Sequence, residues 1–256
     1  MPAVATAQIL AAADALLEAG AFQDYGPNGL QVPGPSEVER IYTGVSANAQ
    51  LFQLAAARGP GLLLVHHGLF WGSGFTTVDP ALKHRLKLLF DADLALAAYH
   101  LPLDAHPQLG NNALLAKALG ARDEIEPFAS HRGRAIGFIA TLPGRGLPLA
   151  QLTQRIAELT GQAPLVQGAG PHDITRLGIV SGGGADYAAE AAAAGAQALL
   201  TGETSERVMA IAQELQVHVI AAGHYATETL GIKALGEHLA DRFGIQHAFL
   251  DVPNPV

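Results

Sequence analysis

The residues of this chain best suited to chemistry are two adjacent histidines, a histidine–glutamate pair and a lone aspartate. His66 and His67 close the apolar run that starts at Gly61, and Gly68 follows at once. In GHYATE, His224 and Glu228 stand four positions apart, on one face if the segment opens a helix. Asp104 comes shortly after another apolar run, in HLPLD. Imidazole nitrogens and carboxylate oxygens of this kind suit divalent cations. The chain contains no cysteine, which excludes disulfides, thiolate nucleophiles and Cys-ligated zinc or iron–sulfur sites. Any metal here takes nitrogen and oxygen ligands.

Two neighbouring histidines chelate a single ion poorly. Were the strand to continue through both, their side chains would point to opposite faces. A turn at Gly68 is expected to release both rings toward one cleft. Two ions about 3.5 to 4 Å apart would suit them better, clamping the attacking and leaving oxygens of a hydrolysed substrate. A carboxylate such as Glu228 has two oxygens and can bridge. Asp104 supplies a further carboxylate, and Pro102 argues that its segment is a loop.

These residues need elements to position them. Aliphatic runs alternate with Ala/Leu-rich amphipathic stretches, the pattern of an α/β fold with mixed, mostly parallel sheets. The expected strands are 40–45, 61–65, 94–99, 177–181, 198–201 and 217–221. In such sheets ligands gather beyond the carboxyl ends of the strands. The strands fall into two similar sets, led by helices at 9–19 and 149–160. AAARGPGLLLVHH lies on AAAAGAQALLTGE, so that His66 and His67 face Gly202 and Glu203. LAAYHLPLD lies on IAAGHYATE, pairing His100 with His224 and Asp104 with Glu228. Both copies read His-x-x-x-acid. Two α/β repeats, 1–128 and 129–256, follow, with a boundary near 127–132 and loops at 142–148 and 167–171.

His100 and His106 are candidates to support the metal ligands near Asp104. His84, His131, His172, His218, His238 and His247 lack an acidic partner at comparable spacing and are given no role. SGGGAD at 181–186 follows a strand as a phosphate loop would, but Tyr187 stands where a third glycine belongs, so it reads as a tight turn. In TGETSE, Thr204 or Ser205 can cap the next helix, or Glu203 can reach the same cleft as His67. Asn28 and Gln31 of PNGLQV can line the site or cap a loop.

Composition narrows the partners. With 256 residues, 49% hydrophobic and 15% charged, the chain has the makeup of a compact folded protein. A net charge of −8 with no long basic run argues against nucleic acid as the main ligand. Asp14 and Glu18, without a basic stretch before them, make the N-terminal segment an ordinary helix and not a signal peptide. No apolar run approaches the roughly 20 residues of a membrane span. A cytoplasmic location and no membrane partner are expected.

DYGPNGLQV, LLLVHHGLFW, HLPLDAHPQLGNN, TGETSERV and AAGHYATETLGIKAL together resemble the YbgI-like, NIF-three-like family of dinuclear-metal-centre hexameric proteins, widely described as GTP cyclohydrolase type 2 homologs. The resemblance runs in order over nearly the whole chain. It implies two intertwined α/β repeats with a dinuclear metal site in the cleft between them, and a toroidal homohexamer built as a trimer of dimers. It also implies that His67 and Asp104 bind one metal, that His66 and His224 bind the other, and that Glu228 bridges them. Ser46 departs from members that carry an aspartate after this strand, which leaves any substrate contact by Ser46 or Asn48 open.

Five donors around two ions leave positions for water, the mark of a reactive site. A water bridging two divalent cations is acidified and becomes a nucleophile, so a metal-dependent hydrolase acting on a small molecule is the leading expectation. Zinc, manganese, iron, cobalt and nickel all fit the donor set. The resemblance implies opening of the guanine ring of GTP, although no complete guanine or triphosphate site is readable. The competing class is a metal chaperone, insertase or store without turnover, and a third is a scaffold that metals merely pin together.

Overall fold

The computed structural model describes residues 3–72 and 77–256. It is a mixed α/β protein whose contacts divide it into two compact units, 1–103 with 232–252, and 104–231 with 253–256. Among the described residues, no helix is long and apolar enough to cross a membrane.

The first unit is built on a five-stranded sheet in the order Gln246–Phe249, Arg40–Ser46, Gly61–His67, Leu94–Ala98, Gly29–Val32. The first four run parallel and Gly29–Val32 pairs antiparallel at the edge. Its inner strands are apolar almost throughout because helices cover the sheet: all of LALAA and the first six residues of GLLLVHH are buried. Local signals start the covering helices. Asn48 Oδ1 accepts from Leu51 N at the head of Ala49–Ala56, and Asp79 Oδ1 accepts from Leu82 N where Pro80 opens Pro80–Asp91. Phe52, Leu63, Val65, Leu89 and Leu96 meet in the core.

The second unit holds a six-stranded sheet in the order Leu165–Gly168, His218–Ala221, Ala198–Thr201, Arg176–Ile179, Arg134–Thr141, Ile125–His131. The three strands from 218–221 to 176–179 are parallel, and the rest pair antiparallel. Leu152 and Ile156, one turn apart on Leu149–Thr160, pack with Leu177, Leu200 and Ile220. Gly161, at φ 74°, closes that helix in the left-handed conformation its missing Cβ permits.

One succession of elements occurs in both units. A two-residue strand and a helix come first, Val4–Ala5 then Thr6–Leu17, and Leu147–Pro148 then Leu149–Thr160. An antiparallel edge strand, a second two-residue strand and three parallel strands follow.

All six expected strands form, within two residues at either end. The dividing line falls elsewhere than at residue 128. Leu115 and Ala116, on Asn111–Ala118, belong to the second core, and Gln246–Phe249 pairs with Arg40–Ser46 in the first sheet. Nor is 127–132 a linker. It is the end of the Ile125–His131 strand and its turn: Arg132 and Gly133, both at positive φ, join His131 to Arg134 as a two-residue hairpin. Pro127 is tolerated there because this strand lies at the sheet edge.

Candidate metal centre

In the first unit the Gly61–His67 strand runs through both histidines instead of ending before them. The two imidazoles nevertheless lie 4.8 Å apart between ring centroids, tilted by 48°. They are the last two residues of the strand, and Gly68 follows at once. His66 is fully buried. His67 sits opposite Ser46 in register, and its Nδ1 is 3.0 Å from Ser46 Oγ.

His100 joins them. Its ring centroid is 4.9 Å from that of His66 and 5.5 Å from that of His67, and the three residues can offer ring nitrogens that all lie within 4.8 Å of one another. Asp24, which no spacing in the sequence singles out, holds it: Asp24 Oδ1 lies 2.7 Å from His100 Nδ1, and Oδ2 accepts from Leu101 N and Asn28 Nδ2. Burial works to raise the Asp24 pKa, but the hydrogen bond and charge of His100, with hydrogen bonds from Asn28 and Tyr25, carry it from 3.8 down to about 2. Asn28 and Gln31 prove to be loop braces. Asn28 Oδ1 accepts from His100 N, and Gln31 Oε1 accepts from Leu69 N against Gly68, where a Cβ would collide with the Gln31 amide. Asn48 is a helix cap and Ser46 a histidine partner.

In the second unit, His224 opens a helical turn, His224–Thr227, that returns Glu228 to it, with His224 Nε2 3.3 Å from Glu228 Oε1. Glu203 comes to the other ring nitrogen, 3.2 Å from Nδ1. Burial disfavours the imidazolium, yet the hydrogen bonds and charges of Glu228 and Glu203 raise the His224 pKa to about 9. Glu228 is only 2% exposed. The SGGG turn forms the wall behind this pair. Gly182 stands at φ 60°, and a Cβ on it would run into Glu228 Oε1 and lie 2.9 Å from His224 Nε2. Glycine is required there by backbone and by space alike.

Asp104 is buried beside the same turn. It ends the Leu101–Asp104 helical turn, which forms despite Pro102 because a first-turn residue needs no donor. Its Oδ1 accepts from Asn111 Nδ2 at 2.8 Å and from Ser181 Oγ at 3.1 Å. Ser181 and Gly182, adjacent in the chain, therefore contact Asp104 and the His224–Glu228 pair respectively. Asn112 completes the frame, donating to Ile136 O and Asp104 O and accepting from Ser181 N. Asn111 and Asn112 are fully buried polar residues. Their place in GNN marked the motif, but nothing in their spacing disclosed the partners. His106 serves its own turn, accepting from Leu109 N. Ser205 occupies the cap position of Glu206–Glu214 without a side-chain bond, and Thr204 donates to Gln167 instead.

Buried histidine and glutamate groups here could hold a metal ion, and their surroundings fit one. Three imidazoles are braced through Nδ1, and a carboxylate is packed against a glycine that leaves it room.

The chain is similar to known proteins over nearly its whole length. A family model described as Duf34/NIF3 (NGG1p interacting factor 3) matches residues 4–255. A protein of Deinococcus radiodurans called "GTP cyclohydrolase 1 type 2 homolog" is 46% identical over 237 residues, 93% of this chain and 89% of that one. One of the same name from Pseudomonas aeruginosa is 42% identical over 254 residues, 99% of each chain. Among solved structures, a protein titled ybgI, of unknown function, superposes with a TM-score of 0.91 at 37% identity, covering 99% of this chain and 100% of its own. TTHA1606 from Thermus thermophilus gives 0.89, also at 37% identity, with the same coverage.

Proposed function

Since the chain belongs to the Duf34/NIF3 family, we propose that it binds two divalent metal ions through His66, His67, Asp104, His224 and Glu228 and acts as a metal-dependent hydrolase. The observation that carries this reading is the bracing of the donors. Metal-ligating histidines characteristically donate their second nitrogen to a carboxylate or carbonyl, and His66 and His224 are set against Tyr99 O and Glu203 in that way. Asp104 and Glu228 add two carboxylates held by Asn111, Ser181 and the glycine turn.

Bound divalent cations supply Lewis acidity, lowering the pKa of a water they share and polarising the substrate. The chain's own residues orient the donors and keep the carboxylates from wandering. Asp104 has its Oδ1 held by two donors, Asn111 Nδ2 and Ser181 Oγ, which fixes the orientation of its carboxylate. Relatives carry a GTP cyclohydrolase name, so GTP and related purine nucleotides are the first substrates to screen. Assembly as a homohexamer, a trimer of dimers, belongs to the same proposal, and light scattering on the eluted protein tests it.

The decisive experiment is elemental mass spectrometry after gel filtration without chelator, on the wild type and Glu228→Ala. Close to two ions per chain, reduced in the variant, support the reading. A wild type that holds none after loading with zinc, manganese, iron, cobalt or nickel overturns it. Retention against a metal-free acceptor, with turnover, separates a hydrolase from a metal chaperone.

A further inference from the structure

We propose that the first unit carries a second binding site, remote from the metal centre, in which Arg40 and Arg58 take the phosphate or carboxylate of a small molecule and the adjoining sheet face takes its flat apolar body. A cavity of about 520 Å³ lies where Arg40–Ser46 and Gln246–Phe249 begin, and Arg40, Tyr42, Arg58, Gln246 and Ala248 line it. That volume falls within the roughly 300 to 1,000 Å³ usual for small-molecule pockets. Arg40 opens the strand whose other end, Ser46, meets His67, so about 20 Å of strand separates the cavity from the histidines.

The register explains the lining. Gln246 pairs with Arg40 and Ala248 with Tyr42, so these four side chains share one face of the sheet. Tyr42 and Ala248 bring apolar surface, and Tyr42 is fixed by its hydroxyl, which donates to Gly59 O. Gln246 is exposed, and its amide can both donate and accept. Gly61 leaves room for the arrangement: a Cβ there would stand 3.0 Å from both Arg40 Cγ and Tyr42 Cε2.

Two cations meet at this cavity. Arg40 Nη1 donates to Arg58 O at 2.8 Å, and Arg58 Nη1 donates at 3.3 Å to Leu54 O in the last turn of Ala49–Ala56. The carbonyl end of that helix is negative, which offsets part of the repulsion between the two guanidiniums. Arg176 and Arg207 are each paired with a carboxylate. Among the described residues neither Arg40 nor Arg58 is, although the chain carries a net charge of −8. Each spends one N–H on a backbone carbonyl and keeps the rest of its planar fork, the geometry that grips a carboxylate or phosphate through paired hydrogen bonds. Two guanidiniums on an acidic chain hold one small anion but make no track for a nucleic-acid backbone.

The test is calorimetric titration of the full, metal-free chain with phenyl phosphate, phenylacetate and inorganic phosphate. One of the two aromatic probes is expected to bind once per chain, at least tenfold more tightly than inorganic phosphate, and which one wins tells whether the oxyanion is a phosphate or a carboxylate. Arg58→Gln and Arg40→Gln should each weaken that binding at least tenfold. Ala248→Leu leaves both arginines in place and fills the adjoining face, so it should remove the advantage of the aromatic probe over inorganic phosphate. Circular dichroism checks folding, and Arg58, being exposed, keeps the test open should Arg40→Gln misfold. The inference is overturned if neither aromatic probe binds saturably, if the affinity is the same in Arg58→Gln as in the wild type, or if the aromatic probes bind no better than inorganic phosphate. None of these outcomes bears on the metal centre, whose own test is metal retention.

Discussion

Asp24 and His100, 76 positions apart, meet at 2.7 Å through Oδ1 and Nδ1. The carboxylate's own pKa is drawn from 3.8 to about 2 by that contact and its neighbours, against the opposing effect of burial. A carboxylate depressed on folding stabilises the native state above its unfolded value and loses that contribution as pH falls through the folded one. Asp24 is thus expected to contribute about 2 kcal/mol at neutral pH, shed between pH 3.8 and about 2. Urea unfolding of metal-free wild type and Asp24→Asn should show a gap at pH 7 that narrows toward pH 2.

Gly182 and Gly183 are neighbours with opposite tolerances. Gly182→Ala places a methyl group on Glu228 and His224 and forces a left-handed backbone, itself costing about 1 to 2 kcal/mol. Gly183→Ala meets nothing closer than Glu203 Oε1 at 3.6 Å, with no positive φ. Isothermal titration with zinc should find binding weakened at least tenfold in Gly182→Ala and nearly unchanged in Gly183→Ala.

Asn112 spends both its amide protons and its oxygen on buried partners. Asn112→Ala strands Ser181 N, Ile136 O and Asp104 O, a loss on the order of 3 kcal/mol. Differential scanning fluorimetry should record a fall of about 10 °C in Tm. An unchanged midpoint would mean that Asp104 is held by Asn111 and Ser181 alone.

His247 carries a pH dependence away from the candidate centre. Burial lowers its pKa from 6.5; Glu237 and Asp241 pull upward, Lys233 pushes down, and the ring lies 2.8 Å from Thr43 Oγ1. A histidine depressed on folding binds its proton more readily when unfolded, so its contribution is full above pH 6.5 and declines as the solution is acidified. His247→Gln should lose less stability than the wild type between pH 7.5 and pH 5.5 in matched urea titrations.

The parts legible in the sequence were those written in local pattern. Six buried strands stood out because covered parallel strands are apolar runs, and the helix at 149–160 has the bounds its periodicity predicts. The pair His224 and Glu228 was readable from spacing alone, since four positions on a helical turn bring side chains together. Asp24 was not, because its partner lies 76 residues away and only the fold joins them. The strands at 125–131 and 134–141 were hidden by Pro127 and by the Arg-Gly turn, signals that an edge hairpin and a linker share. Gly182 looked like a turn residue because a close approach to side chains 42 and 46 positions later leaves no mark in local composition.

The pairing of Gln246–Phe249 with Arg40–Ser46 has a consequence for how the protein is made. A ribosome delivers the first four strands of that sheet long before its fifth. Until residue 249 has left the exit tunnel, one flank of 40–46 stays open to solvent with its amides and carbonyls unpaired. The six strands of the other sheet have all been synthesised by residue 221. The part of the chain that is born first is therefore the part completed last, and a stalled or truncated nascent chain would present that open flank to any neighbour able to add a strand.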